Sequence, residues 1–322
     1  SQNNNVTTGK IYQTVIEKER KGDFLGKTVQ VIPHITNEIK RRIKMLSKKD
    51  YDIIITEIGG TVGDIESLPY IESVRQLQWE LGKNNSMVIH LTLLPYLSSS
   101  GELKTKPSQH SVRQLMESGI QADVLVCRTE HTIPKELRSK LAQFCNVGLE
   151  NVIECIDMDT IYEVPLYLQK QHFDEVVLKE LNLPIGKEIN LKDWKSFLKK
   201  YKNPKRTVEI ALVGKYVSLQ DSYKSIAEAF IHAGSDMETE VKVRWVYSGD
   251  IEQEGAEKLL NGVDGILIAP GFGDRGIEGK IQASKYAREN KVPLLGICLG
   301  MQIMTIEFAR NVLELSKANS VE

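Results

Sequence analysis

Short apolar runs alternate with helix-length segments from one end of this chain to the other. In the first part the runs DIIIT at 52–56, MVIHLT at 87–92, DVLVC at 123–127 and a fourth at 151–156 predict strands. In the second part TVEIALV at 207–213 is followed by runs at 241–247, 265–269 and 292–297. Near-continuous apolar runs suit parallel strands covered on both faces. Between the first two strands, Leu68, Ile71, Val74, Leu77 and Leu81 share one helical face, and Gly82 offers a C-cap. This alternation predicts an α/β protein with two doubly wound parallel-sheet domains.

The pattern breaks at Pro184 and Gly186, and a basic run follows: Lys195, Lys199, Lys200, Lys202, Lys205 and Arg206, interleaved with Trp194, Phe197 and Tyr201. A solvated amphipathic helix within an inter-domain linker accounts for it. The expected division is a first domain over 1–185, a linker over 186–206 and a second domain over 207–322. In a chain of 322 residues, 42 Lys and Arg stand against 43 Asp and Glu, so no basic excess calls for nucleic acid. The apolar runs are far shorter than the ~20 residues that span a bilayer, which argues against a membrane partner. Four cysteines (Cys127, Cys145, Cys155 and Cys298) form no CxxC pair, and a reducing, cytoplasmic setting is expected. The chain opens without methionine and closes just past a helix-like segment, so a stretch cut at both ends is expected.

The most specific chemistry lies at VPLLGICLGMQ, 292–302. A strand runs into Gly296-Ile-Cys298-Leu-Gly300, and a helix follows with Ile303 and Ile306 on one face. This is a nucleophile elbow with sulfur in place of the serine oxygen. The helix start favours the thiolate. The N–H of Leu299 is one donor for an oxyanion, and Gly271 is the second, because Pro270 has no N–H to give. The plain alternative for a lone cysteine is a buried structural thiol. The segment resembles class I glutamine amidotransferases, whose signature reads Gly-x-Cys-x-Gly-x-Gln. That resemblance makes Gln302 a substrate contact and implies His and Glu partners for the cysteine. His232 lies upstream on a helix-like segment and supplies neither role. On this reading the half alone is a poor glutaminase.

In the first half, 52–56 runs into Glu57-Ile-Gly-Gly-Thr-Val-Gly-Asp64-Ile65-Glu66. Carboxylates at the C-terminal end of a strand sit where open α/β sheets take ligands. Glu57 suits Mg²⁺, a hard cation that wants oxygen ligands beside phosphates. Asp64 and Glu66 read equally as acids at a helix start. After the next strand, GELKTKPSQH at 101–110 places Lys104, Lys106 and Gln109 where a polyphosphate could gather, with a helix opening at about Ser108. Lys-Thr-Lys is also common solvated surface. His34, in a segment of polar and apolar residues at 28–37, reads as a ligand or as a satisfied core histidine.

Four long stretches, TTGKIYQTVIEKERKGDFLGKTVQVIPHITNEI at 7–39, EIGGTVGDIESLPYIES at 57–73, GELKTKPSQHSV at 101–112 and GICLGMQ at 296–302, closely resemble the CTP synthase family in sequence and order. The resemblance implies a P-loop-like synthase domain joined to a class I glutamine amidotransferase domain. It implies ATP-dependent amination of UTP to CTP with ammonia from glutamine, with Mg²⁺ as cofactor, GTP as activator, CTP as feedback inhibitor and a homotetramer. It assigns Glu57 to the metal. Asp64, Ile65 and Glu66 go to the pyrimidine nucleotide, and Lys104, Lys106, Gln109 and Lys140 to its phosphates. Arg128 and Asp157 fall on the adenine side. The family's glycine-rich ATP loop has no counterpart before Ser1, so the stretch alone is expected to be inactive. The competing reading is a non-catalytic module that binds pyrimidine nucleotides and oligomerises.

Overall fold

The computed structural model describes residues 4–48, 51–82, 84–186 and 189–320. Residues 187 and 188 of the expected linker, and the extreme residues at both ends of the chain, lie outside these. The chain divides into two units, Ser1–Glu188 and Ile189–Glu322.

The first unit carries α1 (Thr8–Arg20), α2 (Thr36–Ile43), α3 (Leu68–Leu81), β1 (Ile89–Leu94), β2 (Tyr96–Leu97), β3 (Glu102–Leu103), α4 (Lys106–Glu117), β4 (Val124–Thr129), α5 (Lys135–Cys145), β5 (Val152–Ile156), α6 (Val164–Lys170) and α7 (Phe173–Glu180). Its main sheet is parallel, in the order β1-β4-β5, and β2 and β3 form a separate antiparallel hairpin. Strand side chains alternate between faces, so neighbouring residues enter different cores. Leu125, Cys127 and Val152 pack with Leu141, Ala142 and Cys145 of α5. Val124, Val126 and Ile153 pack with Val176 of α7. Thus β4 and β5 are covered on both faces, as continuous apolar runs require.

Two expectations change here. Residues 52–56 join no strand ladder, and Ile55 is 90% exposed. A strand exists by pairing, and among the described residues none pairs with this run. On β1, His90, Thr92 and Leu94 are buried while Ile89, Leu91 and Leu93 are exposed. That strand is covered on one face only. The predicted helix at 68–81 is α3, closed by Gly82 at φ 78°.

The second unit carries α8 (Lys192–Lys202), β6 (Arg206–Gly214), α9 (Lys224–Asp236), β7 (Thr239–Tyr247), α10 (Ser248–Glu254), α11 (Ala256–Leu260), β8 (Gly265–Ile268), α12 (Ile277–Glu289), β9 (Leu294–Gly296) and α13 (Leu299–Asn311). Its four-stranded sheet is parallel throughout, in the order β7-β6-β8-β9. Ala211, Val213, Ile266 and Ile268 pack with Ile281 of α12 and Ile303 of α13. Leu212, Leu267 and Ala269 face the other way, toward Tyr223, just before α9, and Phe230 of α9. The basic helix α8 packs on α9: Phe197 meets the His232 ring edge-on at 5.8 Å, and Lys200 pairs with Asp236 at 3.2 Å. No helix among the described residues is long and apolar enough to cross a membrane.

Candidate functional site

Cys298 stands between β9 and α13 at φ 54° and ψ −110°, a conformation that non-glycine residues rarely hold. The local chain leaves it little choice. Ile297 donates its N–H to Ile268 at 3.1 Å, which ties the elbow to the end of β8. Gly300 then donates to Ile297 at 2.9 Å and Met301 to Cys298 at 3.0 Å, so the helix begins at once. A Cβ on Gly296 would come within 2.4 Å of Gly300, so only glycine allows this approach. The turn pushes Cys298 outward, exposed, while Leu299 and Ile303 anchor the helix in the core.

The two expected oxyanion donors, Leu299 and Gly271, follow the ends of neighbouring strands. Among the described residues no carbonyl accepts the N–H of Leu299, as expected for a first helical residue. Gly271 follows the end of β8, the strand beside β9. The hydroxyl of Tyr223 donates to the Pro270 carbonyl at 3.5 Å. In a trans peptide the N–H points opposite its carbonyl, so Gly271 aims its N–H away from Tyr223. Gln302 is half-buried, and its side-chain oxygen accepts from Ser320 at 3.0 Å. His232 faces Phe197 on α9.

In the first unit the phosphate candidates gather where β1 ends and α4 begins. Ser108 donates to the Leu93 carbonyl at 2.9 Å and accepts from Thr92 at 2.9 Å, so the first turn of α4 is tied to β1. Lys106 is the first residue of that helix and is exposed. Gln109 donates to Thr105 at 3.0 Å. Lys104 donates its N–H to Pro95 at 2.9 Å and pairs its ammonium with Glu102. That hydrogen bond and the Lys104 charge hold the Glu102 carboxyl below its usual range, with the charge of Lys140 acting the same way. Lys104 is thus the cation paired with Glu102, while Lys140 lies exposed on α5.

The glycine-rich acidic turn reaches the same helix further along. Gly63, at φ 102°, lies against Gln114 of α4, and a Cβ there would come 2.0 Å from the Gln114 amide nitrogen. Val62 packs with Leu115 and Ile71. Asp64 precedes a short 3₁₀ turn, Ile65–Ser67, and makes no side-chain cap. Glu57, Asp64, Ile65 and Glu66 are all exposed. Arg128 and Asp157, at the ends of β4 and β5, pair with each other at 2.9 Å. His34 is half-buried, accepts from the Gln30 N–H at 3.0 Å and meets Phe24 edge-on at 4.8 Å, which fits the satisfied core histidine.

Sequence reasoning overlooked Lys215 and Lys280, two buried lysines beneath the loop that follows β8. The available signal for Lys280 was its spacing: with Ile277, Ile281 and Ser284 it falls on the apolar face of α12.

Residues 1–183 match the family model described as CTP synthase N-terminus. The chain belongs to the CTP synthase family. Residues 218–321 of this family member match glutamine amidotransferase class-I. The CTP synthase of Christiangramia forsetii is 64% identical over 323 residues, covering 100% of this chain and 59% of that relative. That of Flavobacterium johnsoniae is also 64% identical over 323 residues, with 60% of the relative covered. The chain thus spans about 60% of the length of these CTP synthases. A solved glutaminase domain of a Trypanosoma brucei CTPS with bound acivicin is 41% identical, over 35% of this chain and 44% of its own, at a TM-score of 0.34.

Proposed function

We propose that this chain carries the glutamine-hydrolysing thiol and the pyrimidine-nucleotide pocket of an ATP-dependent C–N ligase that aminates UTP to CTP. The observation that carries the reading is Cys298, exposed at φ 54° on a glycine-bracketed strand end, in a chain whose other unit gathers lysines at a helix start. The Cys298 sulfur attacks the glutamine side-chain carbonyl, and the thiol proton ends on the departing nitrogen as the C–N bond breaks to leave a thioester and ammonia. Water then cleaves the thioester to glutamate and the free thiol. The N–H groups of Leu299 and Gly271 receive the developing oxyanion, and Gln302 contacts the substrate.

In the first unit, Lys104, Lys106, Gln109 and Lys140 hold the UTP triphosphate at the N-terminus of α4. Asp64, Ile65 and Glu66 contact ribose and base, and Arg128 and Asp157 meet ATP on its adenine side. No cluster of three or more His, Cys, Asp or Glu among the described residues could hold a metal. That donor set fits Mg²⁺ only in its nucleotide-borne form, with one carboxylate, from Glu57, beside phosphates and water. When bound there, Mg²⁺ would offset phosphate charge. The reading also carries GTP as activator, CTP as inhibitor, a homotetramer and a cytoplasmic setting.

The test uses a protein of the relatives' length that contains this chain. Cys298→Ala should abolish CTP formation from glutamine and spare it from ammonia. Equal loss of both activities would reject the division of labour.

A further inference from the structure

The chain that leaves α13 turns back along it and returns toward the elbow. Just past the helix Glu314 adopts left-handed backbone, at φ 59°. Leu315 then donates its N–H to the Ala309 carbonyl at 2.9 Å, and Ala318 donates to Leu315 at 2.8 Å. Arg310 fastens the returning segment from the helix side. Its Nε donates to the Ala318 carbonyl at 2.7 Å, and its Nη1 pairs with Glu278 of α12 at 2.9 Å. The return ends on Gln302, eighteen residues earlier in the chain, whose side-chain oxygen accepts from the Ser320 hydroxyl at 3.0 Å.

Gln302 stands one helical turn after Cys298, and its own N–H donates to the Cys298 carbonyl at 3.4 Å. An amide side chain offers two kinds of group, an accepting oxygen and a donating NH₂. In half-buried Gln302 the oxygen is engaged by Ser320. Among the described residues no acceptor meets its nitrogen. The amide is thereby fixed with its two N–H groups available one turn beyond the thiol.

We propose that Ser320 is a positioning residue of the glutamine-hydrolysing site: it holds the Gln302 oxygen and so commits that amide to donating to an oxygen of the substrate. The proposal rests on Gln302 contacting glutamine. The group received there is an acceptor, and glutamine carries such oxygens in its side-chain carbonyl and its α-carboxylate. Arg310 keeps the hydroxyl in place through Ala318, two residues before it. Ser320 makes and breaks no bond, so its effect falls on the binding of glutamine.

The experiment uses a protein of the relatives' length that contains this chain and follows glutamate release from glutamine. Ser320→Ala removes the hydroxyl and Ser320→Thr keeps it. Gln302→Ala and Gln302→Glu both remove the Gln302 donor, and the second leaves an oxygen for Ser320. CTP formation from ammonia checks that each variant is folded. Ser320→Ala should raise the glutamine KM roughly three- to tenfold, with kcat within about twofold of wild type. Ser320→Thr should stay near wild type, and Gln302→Glu should lose as much as Gln302→Ala. Because Ser320 acts through Gln302, adding Ser320→Ala to Gln302→Ala should change nothing further. Where Gln302→Ala raises KM, the proposal is overturned by a wild-type KM in Ser320→Ala, by losses that multiply in full in the double variant, or by a Gln302→Glu protein that uses glutamine as well as wild type. If Gln302→Ala itself leaves KM unchanged, the substrate-contact reading fails and takes the proposal with it.

Discussion

Gly300 stands directly against the carbonyl of Ile268, so close that a Cβ on it would meet that oxygen at 2.2 Å. The contact is what seats α13 on the end of β8, and it explains the second glycine of the elbow by space rather than by backbone freedom. Gly300→Ala must push the helix start away from the strand. We expect a loss of about 1–3 kcal/mol, as overpacked sites show. Urea denaturation measures it. An unchanged midpoint would mean that the helix start yields freely, and the elbow would lose its rigid support.

Much of this was legible in the chain because the signals were local. Residues 294–300 carry a strand, a glycine-bracketed cysteine and a helix in unbroken succession, and short-range sterics alone force the outward thiol. The runs behind β4, β5, β6 and β8 were equally plain, since apolar side chains on both faces leave few alternatives. Residues 52–56 show the limit. Their pattern fits a strand, but pairing is a tertiary event, and Ile55 remains exposed. Lys280 shows the other limit. A lysine on a helix looks solvated until the helix is laid on β8 and its ammonium finds Ala269.

Lys104 offers a direct probe of the proposed nucleotide pocket. Its ammonium already pairs with Glu102, so an incoming phosphate must compete for it. Charge-assisted contacts to phosphate remain favourable after such an exchange. Lys104→Ala should weaken UTP binding by ~1.5–3 kcal/mol, read by titration calorimetry. An unchanged dissociation constant would confine Lys104 to its partnership with Glu102.

The four cysteines should separate cleanly by reactivity. Burial pushes the Cys127 thiol up to about 12, with Cys145 adding and Arg138 opposing. Burial likewise brings Cys145 up to about 11, and it raises half-buried Cys155. Cys298 alone among the four is exposed. In the native chain at mildly alkaline pH, a thiol reagent should modify Cys298 first and leave Cys127 and Cys145 untouched until unfolding. Peptide mapping of a short labelling pulse decides this. Early modification of Cys127 would show that the core around β4 opens.

Acid should weaken the first unit through Glu38. This carboxylate is 3% exposed on α2, yet it accepts from Arg41 at 2.6 and 2.8 Å, from Arg42 at 2.9 Å and from Lys18 at 3.3 Å. Burial by itself pushes the carboxyl up. The hydrogen bonds from Arg41 and Arg42, with the charges of Arg41 and Lys18, outweigh it and bring Glu38 down to about 2. A carboxyl lowered on folding stabilises the native state above its unfolded pKa, and that stability is lost as pH falls through the folded value. The window therefore opens near the ordinary value of 4.5 and closes near 2. Glu38→Gln removes the titration but leaves three cations around a neutral amide, so it should cost about 2–4 kcal/mol near neutral pH. The difference between wild type and variant should shrink as pH drops through the window, because protonated wild type loses the same pairing. Urea midpoints compared from about pH 6 to about pH 3 measure this. A gap that stays constant across that range would show that the Glu38 cluster contributes packing rather than charge.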